Sequence, residues 1–204
     1  MANVNTPFGL RPVQYLNGSA WNGQARIYSI AHDYATALYI GDPVISSGTS
    51  DAAGVQGIAL AAESGAIRGV IVGVGRYPSL MANPGNLDRT YFPAGGDGVA
   101  KDWYAMVVDD PNVLFEIQEE SNGTALAAGE IGLNTVLQLG AGNGYMSGWQ
   151  LSSATTATPA TTATLQVRLM GLVQRFGNEF GAYAKHLVKI NVHELGTGTG
   201  AAGV

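Results

Sequence analysis

The sequence predicts an all-β protein, an antiparallel sandwich or barrel (jelly-roll-like) with an extended N-terminal arm and long loops. Three observations carry that expectation. Eleven short β-prone runs follow one another between Arg26 and His193, separated by Gly, Pro, Asn or Asp. Several of them alternate apolar and polar residues with period two, as strands with one dry and one wet face do. The chain also holds 29 glycines in 204 residues, about twice ordinary usage, and shows no recurring 10–15-residue helical pattern, which disfavours a helical bundle and a doubly wound α/β fold alike.

Residues 1–26 read as the arm. Pro7 and Pro12 press Thr6 and Arg11 toward extended backbone, and Asn17-Gly18 and Asn22-Gly23 are turn signals. Phe8, Leu10, Val13, Tyr15, Leu16 and Trp21 give this segment an apolar load that has to pack on the chain's own body or on a neighbour. A β-sandwich or barrel body follows over 27–195. Strands are expected at Arg26–Ile30, Ala37–Ile40, Pro43–Ser46, Val55–Ala61, Gly69–Val74, Trp103–Val108, Val113–Glu119, Asn134–Leu139, Trp149–Leu151, Leu165–Val173 and Leu187–His193. In the clearest of them Val113, Phe115 and Ile117 oppose Glu116 and Gln118. Elsewhere Leu165, Val167 and Leu169 oppose Gln166 and Arg168, and Val188, Ile190 and Val192 oppose Lys189, Asn191 and His193. The only helical candidates are Asn178–His186 and a turn near Leu126–Gly132, both weakened by glycine. A proline-rich inserted loop spans 77–100, a Ser/Thr/Ala loop without large apolar residues spans 152–164, and the Gly/Thr/Ala tail 196–204 is expected to be flexible.

Composition narrows the function classes. Ten basic against fifteen acidic residues leave a net charge of −5, and three lysines and seven arginines form no basic stripe, so no nucleic-acid partner is expected. No apolar run approaches the roughly 18 residues of a membrane helix, so no membrane partner is expected. The N-terminus has neither the basic start nor the apolar stretch of a signal peptide, so the mature chain is expected to begin at or beside Met1, inside the producing cell. Absence of cysteine removes disulfides and thiolate chemistry.

Candidate chemistry is thin. Asp109, Asp110, Glu116, Glu119 and Glu120 lack calcium-loop spacing and read as a solvated face. His32 is isolated, and His186 and His193, seven apart on a strand, project to opposite faces. Gly144-Tyr-Met-Ser147-Gly148 misses the nucleophile-elbow spacing by one residue, and the glycine runs at 73–75 and 140–144 lack the pattern of a phosphate cradle. The expectation is a non-enzyme with no cofactor and no metal. Trp21, Trp103, Trp149 and nine tyrosines, in a chain with only 12% charged residues, point instead to contact surfaces.

Several stretches resemble virion structural proteins of tailed bacteriophages. They are Met1-Ala-Asn-Val-Asn-Thr-Pro-Phe-Gly-Leu-Arg-Pro-Val13 with Leu16-Asn-Gly18 and Trp21-Asn-Gly23, then Ala37-Leu-Tyr-Ile-Gly-Asp-Pro-Val44 and Val107-Val-Asp-Asp-Pro-Asn-Val-Leu-Phe-Glu-Ile-Gln-Glu119. Gly171-Leu-Val-Gln-Arg175 follows, leading through Asn178-Glu179 to Lys185-His-Leu-Val-Lys-Ile-Asn-Val-His193. The resemblance implies a capsid cement, or decoration, protein. Such a protein is made in the host bacterial cytoplasm, sits on the outer surface of the head, and clamps neighbouring major capsid protein subunits by multivalent binding. It implies self-association too, a homotrimer in preference to a homodimer. Residues expected to touch the capsid or a sister chain are Phe8, Leu10, Arg11, Trp21, Tyr77, Tyr91 and Phe92. The competing reading is a receptor- or glycan-binding fibre module, with Trp103 and Tyr104 stacking on sugars. A glycan-cleaving enzyme using Glu116 and Glu119 is the remote third.

Overall fold

A computed structural model describes residues 3–76, 89–196 and 199–203. Its strands are β1 (Arg11–Tyr15), β2 (Arg26–Ile30), β3 (Leu38–Tyr39), β4 (Pro43–Ser50), β5 (Gln56–Leu60), β6 (Gly69–Arg76), β7 (Tyr91–Phe92), β8 (Trp103–Val108), β9 (Val113–Gln118), β10 (Asn134–Thr135), β11 (Leu137–Leu139), β12 (Trp149–Leu151), β13 (Val167–Leu172) and β14 (Lys185–Ile190). The protein is all-β and mostly antiparallel. Its one helical element among the described residues is a 3₁₀ turn at Ala128–Glu130, where the Leu126–Gly132 signal fell. The other helical candidate, Asn178–His186, is instead a turn that leads into β14, with Gly181 at φ +144°, a conformation suited to glycine and not to a helix interior.

Two sheets share the work. A closed barrel runs β2-β5-β4-β6-β8, with β8 pairing back onto β2 and only β2–β5 parallel. A five-stranded sheet runs β1-β9-β14-β13-β10, and two ribbons, β3-β7 and β11-β12, complete the molecule. The chain passes from barrel to sheet at β8–β9, across the turn in which the Val113 N–H donates to Asp110 O. Each sheet has its own core. Ile30, Leu38, Val44, Ile71, Phe92 and Trp103 fill the barrel, with Phe92 edge-on to Trp103 at 5.3 Å. Phe115, Ile117, Trp149, Val167 and Val188 belong to the second core, beside the five-stranded sheet, which reaches the barrel through Val70 and Val108.

The arm is not free. Residues 11–15 form β1, which adds to the edge of β9 with Arg11 opposite Glu116 and Tyr15 opposite Val113. Upstream of it the chain is locked to the barrel by two glycines. Gly9 has φ +69°, and a Cβ there would lie 2.3 Å from the Gly41 carbonyl oxygen; a Cβ on Gly41 (φ +96°) would lie 2.3 Å from the Phe8 oxygen. Only glycine lets the two backbones approach this closely. Leu10 N–H donates to Gly41 O across the contact, and Leu10 is buried in the protein's own core. Of the residues the sequence suggested for partner contact, Leu10 and Phe92 are thus buried within the chain, Leu10 in the core beside the five-stranded sheet and Phe92 in the barrel.

Because residues 5–11 cover it, β9 departs from the expected dry-and-wet alternation: all six of its residues are buried. Gln118, expected in solvent, accepts the Thr6 N–H (2.8 Å) and donates to Asn5 Oδ1 (2.8 Å). Gln166 is likewise buried, accepting the Leu137 N–H and donating to Ala62 O. In the 152–164 loop Ser152 and Ser153 are buried, Ser153 donating to Asn122 O at 2.7 Å. Residues 199–203 of the tail lie against β10 and β13: Asn134 and Arg168 both donate to Ala201 O. Residues 77–88 of the inserted loop, Tyr77 among them, lie outside the described residues.

Candidate interaction surface

The carboxylates read as a solvated face are, with one exception, buried and individually satisfied. Only Asp110 is exposed. Asp109 accepts the Tyr28 hydroxyl at 2.7 Å and pairs with Arg26 at 3.4 Å; the Tyr28 oxygen also accepts from Arg68 Nε at 2.9 Å. Arg68 goes on to Gln56 (3.1 Å) and to Glu194 (3.7 Å), tying the barrel to the C-terminal segment. Burial and the adjacent Asp109 push the Tyr28 phenol above its usual range. Glu119 accepts the Leu126 N–H at 2.7 Å and faces His186 Nε2 at 3.0 Å, both side chains having no exposure. Glu120 accepts the Ser153 N–H at 3.0 Å. Asp109, Glu119 and Glu120 thus each sit on their own set of partners. The sequence missed this because a strand with period two does not reveal that its second face is covered.

His186 and His193 are both buried, and burial holds His193 below its usual range. Among the described residues no group of three or more His, Asp or Glu side chains is placed to hold a metal ion. Ser147 is fully buried beneath Gly9 and accepts the Trp149 N–H at 3.2 Å. Trp103 and Tyr104, named for sugar stacking, are 2% and 4% exposed, and the Tyr104 hydroxyl donates to Asp51 at 2.6 Å. Both rings are therefore almost wholly covered by the chain itself, Tyr104 only bordering a cleft with Asp51 and Lys101.

What the fold does assemble is a groove along the N-terminal segment. Phe8, Leu10, Arg11 and Trp21, four of the seven sequence-predicted contact residues, line one apolar pocket of about 280 Å³ together with Ile40 and Met146. Leu10 is its buried floor. Phe8, Arg11 and Met146 also border a second cleft of about 600 Å³, whose far side carries Arg175 and Lys185. Arg11 lies over the Phe8 ring at 4.5 Å. Glu116 sits beneath the cations: it accepts from Arg11 at 3.3 Å and from Arg175, while Lys185 has no ion pair among the described residues. Burial, with Arg175 and Arg11 nearby, holds the Lys185 ammonium below its usual range. Three cations over one carboxylate make this cleft locally positive on a chain of net charge −5.

Tyr91 lies elsewhere, stacked on Tyr39 at 5.3 Å across the β3–β7 ribbon. Sequence reading did not single out Arg175, Lys185 and Met146 as contact residues. The available signal was that Arg175 and Lys185 are two of only ten basic residues and flank the glycine-broken turn before β14. Compared with protein-family models, curated proteins and solved structures, the chain matches none. No helix among the described residues is long and apolar enough to cross a membrane.

Proposed function

We propose that this chain is a decoration protein of a tailed-phage head, one that binds the shell exterior, clamps neighbouring major capsid subunits, and acts by binding without catalysis. One observation carries the reading: sequence stretches that resemble phage structural proteins, far apart along the chain, meet around two adjoining clefts that share Phe8, Arg11 and Met146, with Glu116 beneath Arg11 and Arg175. Phe8, Arg11 and Trp21 come from the first stretch and Ile40 and Gly41 from the second. Glu116 comes from the third, and Arg175 and Lys185 from the last. A half-apolar, locally positive groove on a rigid β body suits a protein partner, because apolar area supplies affinity and placed charges supply register. The covering of Trp103 and Tyr104 removes the residues on which the glycan-binding reading rested.

The test is saturable binding of the purified chain to heads of the phage that encodes it, before and after expansion, followed by electron microscopy. Density at regular lattice positions on the exterior of expanded heads is expected. Failure to bind expanded heads, or density confined to a fibre, overturns the proposal.

A further inference from the structure

The turn between β13 and β14 carries a bare aromatic ring on a fixed scaffold. Phe176 is 91% exposed, and Phe180 beside it is 41% exposed. The surrounding backbone is nonetheless tied down. Asn178 donates to Val173 O and Lys185 O, both at 2.8 Å, and accepts the Lys185 N–H at 2.9 Å. From the other side Asn3 donates to Glu179 O at 2.9 Å and to Ala182 O at 3.1 Å. Tyr183 holds φ +63°, a conformation a bulky residue seldom adopts, with its hydroxyl accepting from Ser121 at 2.8 Å. A loop held this firmly keeps Phe176 in water at a standing hydrophobic cost, and it presents the ring with little ordering entropy left to lose on binding.

The same molecule holds the complementary hollow. The pocket bordered by Phe8, Trp21, Ile40 and Met146 measures about 280 Å³, and apolar cavities of about 150 Å³ already take up a benzene ring. Beside it lie Arg11, Arg175 and Lys185. Three residues after Phe176, the exposed Glu179 carboxylate has no ion pair among the described residues. The turn thus offers an apolar ring and a carboxylate, and the groove an apolar pocket beside cations: the same two chemistries in complementary form.

We infer that the turn at 175–180 of one chain docks into this groove on a second copy, Phe176 filling the apolar pocket and Glu179 meeting the Lys185 side of the cleft. Arg175 borders the groove and directly precedes Phe176, so knob and hollow are neighbours on each chain. Two copies engage reciprocally, or three in a ring, and the measured mass distinguishes these. The inference deepens the decoration reading by naming the sister-chain contact. Its experiment uses the purified chain alone, so a failure here leaves head binding untouched.

Sedimentation velocity and light scattering on the full chain, from sub-micromolar to tens of micromolar, supply the test. The wild type is expected to reach twice or three times 21.1 kDa. Phe176→Ala and Met146→Arg are each expected to weaken assembly about 30-fold or more, with unchanged circular dichroism. Leu195→Ala, at another exposed apolar position (43%), is expected to leave it unchanged. Glu179→Lys and Lys185→Glu should each weaken assembly, and together should recover most of it. A wild type that stays monomeric throughout, a Phe176→Ala protein that assembles like wild type, or an equal loss in Leu195→Ala overturns the inference.

Discussion

Replacing Asp42 by Asn should stabilise the protein above neutral pH and make no difference in acid. Asp42 is 2% exposed in the turn between β3 and β4, where it accepts the Tyr39 N–H at 2.8 Å and the Ser147 hydroxyl. Those bonds do not offset the loss of water around the charge, and burial pushes the carboxyl from its ordinary 3.8 up to about 6. Between those two values the native state binds the proton that the unfolded chain has released, so stability falls as pH rises through that window. Above it both states are ionised and the native state bears the whole burden. A rise of roughly two pH units, at about 1.36 kcal/mol each, amounts to about 3 kcal/mol. The carboxamide of Asn keeps the acceptor for Tyr39 and carries no charge. Urea denaturation of wild type and Asp42→Asn, from pH 4 to pH 8, should show a gap that opens with pH toward about 3 kcal/mol. In heating experiments that is a shift of roughly 6–12 °C for a chain of this size. A gap that is absent at pH 8, or equally large at pH 4, would refute the assignment of an uncompensated charge at this position.

Four further substitutions test the packing. Gly9→Ala forces a Cβ to within 2.3 Å of the Gly41 oxygen at φ +69° and should cost about 3 kcal/mol or more; Gly23→Ala, at φ +88° with open space around it, should cost about 1–2 kcal/mol, and equal losses in denaturant would contradict the interlock. Glu119→Ala strands the buried Leu126 N–H and His186 Nε2 and should cost about 3–5 kcal/mol, against a loss under about 1 kcal/mol if the pair were solvated. Arg68→Met removes the donor shared by Tyr28, Gln56 and Glu194 at a side chain only 13% exposed, so a loss of about 2–4 kcal/mol is expected in the same assay.

The strands were legible where the chain supplies its own punctuation. Arg26–Ile30, Trp103–Val108 and Trp149–Leu151 fall where their apolar runs and flanking turn residues place them. Misplacements occurred where a partner strand, not local pattern, decides. The run Asn134–Leu139 divides because Asn134 and Thr135 pair with β13 while Leu137–Leu139 pair with β12. β1 carries Pro12 at its second position, which in sequence marks an arm more than a strand, yet Pro12 is tolerated because β1 lies at the sheet's edge. The polar residues of β9 were read as solvated for the same reason: nothing in Glu116-Ile-Gln118 announces that Asn5, Thr6 and Arg11 will return from a hundred residues away to cover them. Half of the groove was visible in the aromatic residues of the first segment. The cationic half was not, because Arg11, Arg175 and Lys185 converge only once β1, β13 and β14 have found their places.

That placement changes how the N-terminal segment has to be tested. Deleting residues 2–16 from a free arm would remove a reaching contact and leave the body intact, so loss of head binding would locate the contact. Here the deletion removes β1 from β9, the glycine interlock with Gly41, and Leu10 from the core, and it leaves Gln118 and Glu116 without their N-terminal partners. A truncated protein that fails to bind heads would then be reporting unfolding. Trp21→Ala and Met146→Arg alter the same face from half-buried and exposed positions that no sheet pairing depends on. If the groove is what meets another protein, both should lose binding, Met146→Arg with an unfolding free energy within about 1 kcal/mol of wild type and Trp21→Ala with a further loss of stability, because Trp21 also packs against the core and donates to Gln24 O. If both bind expanded heads as wild type does and the purified chain still assembles normally, the groove is packing alone, and the contact face has to be sought at the Tyr39–Tyr91 ribbon on the other part of the fold.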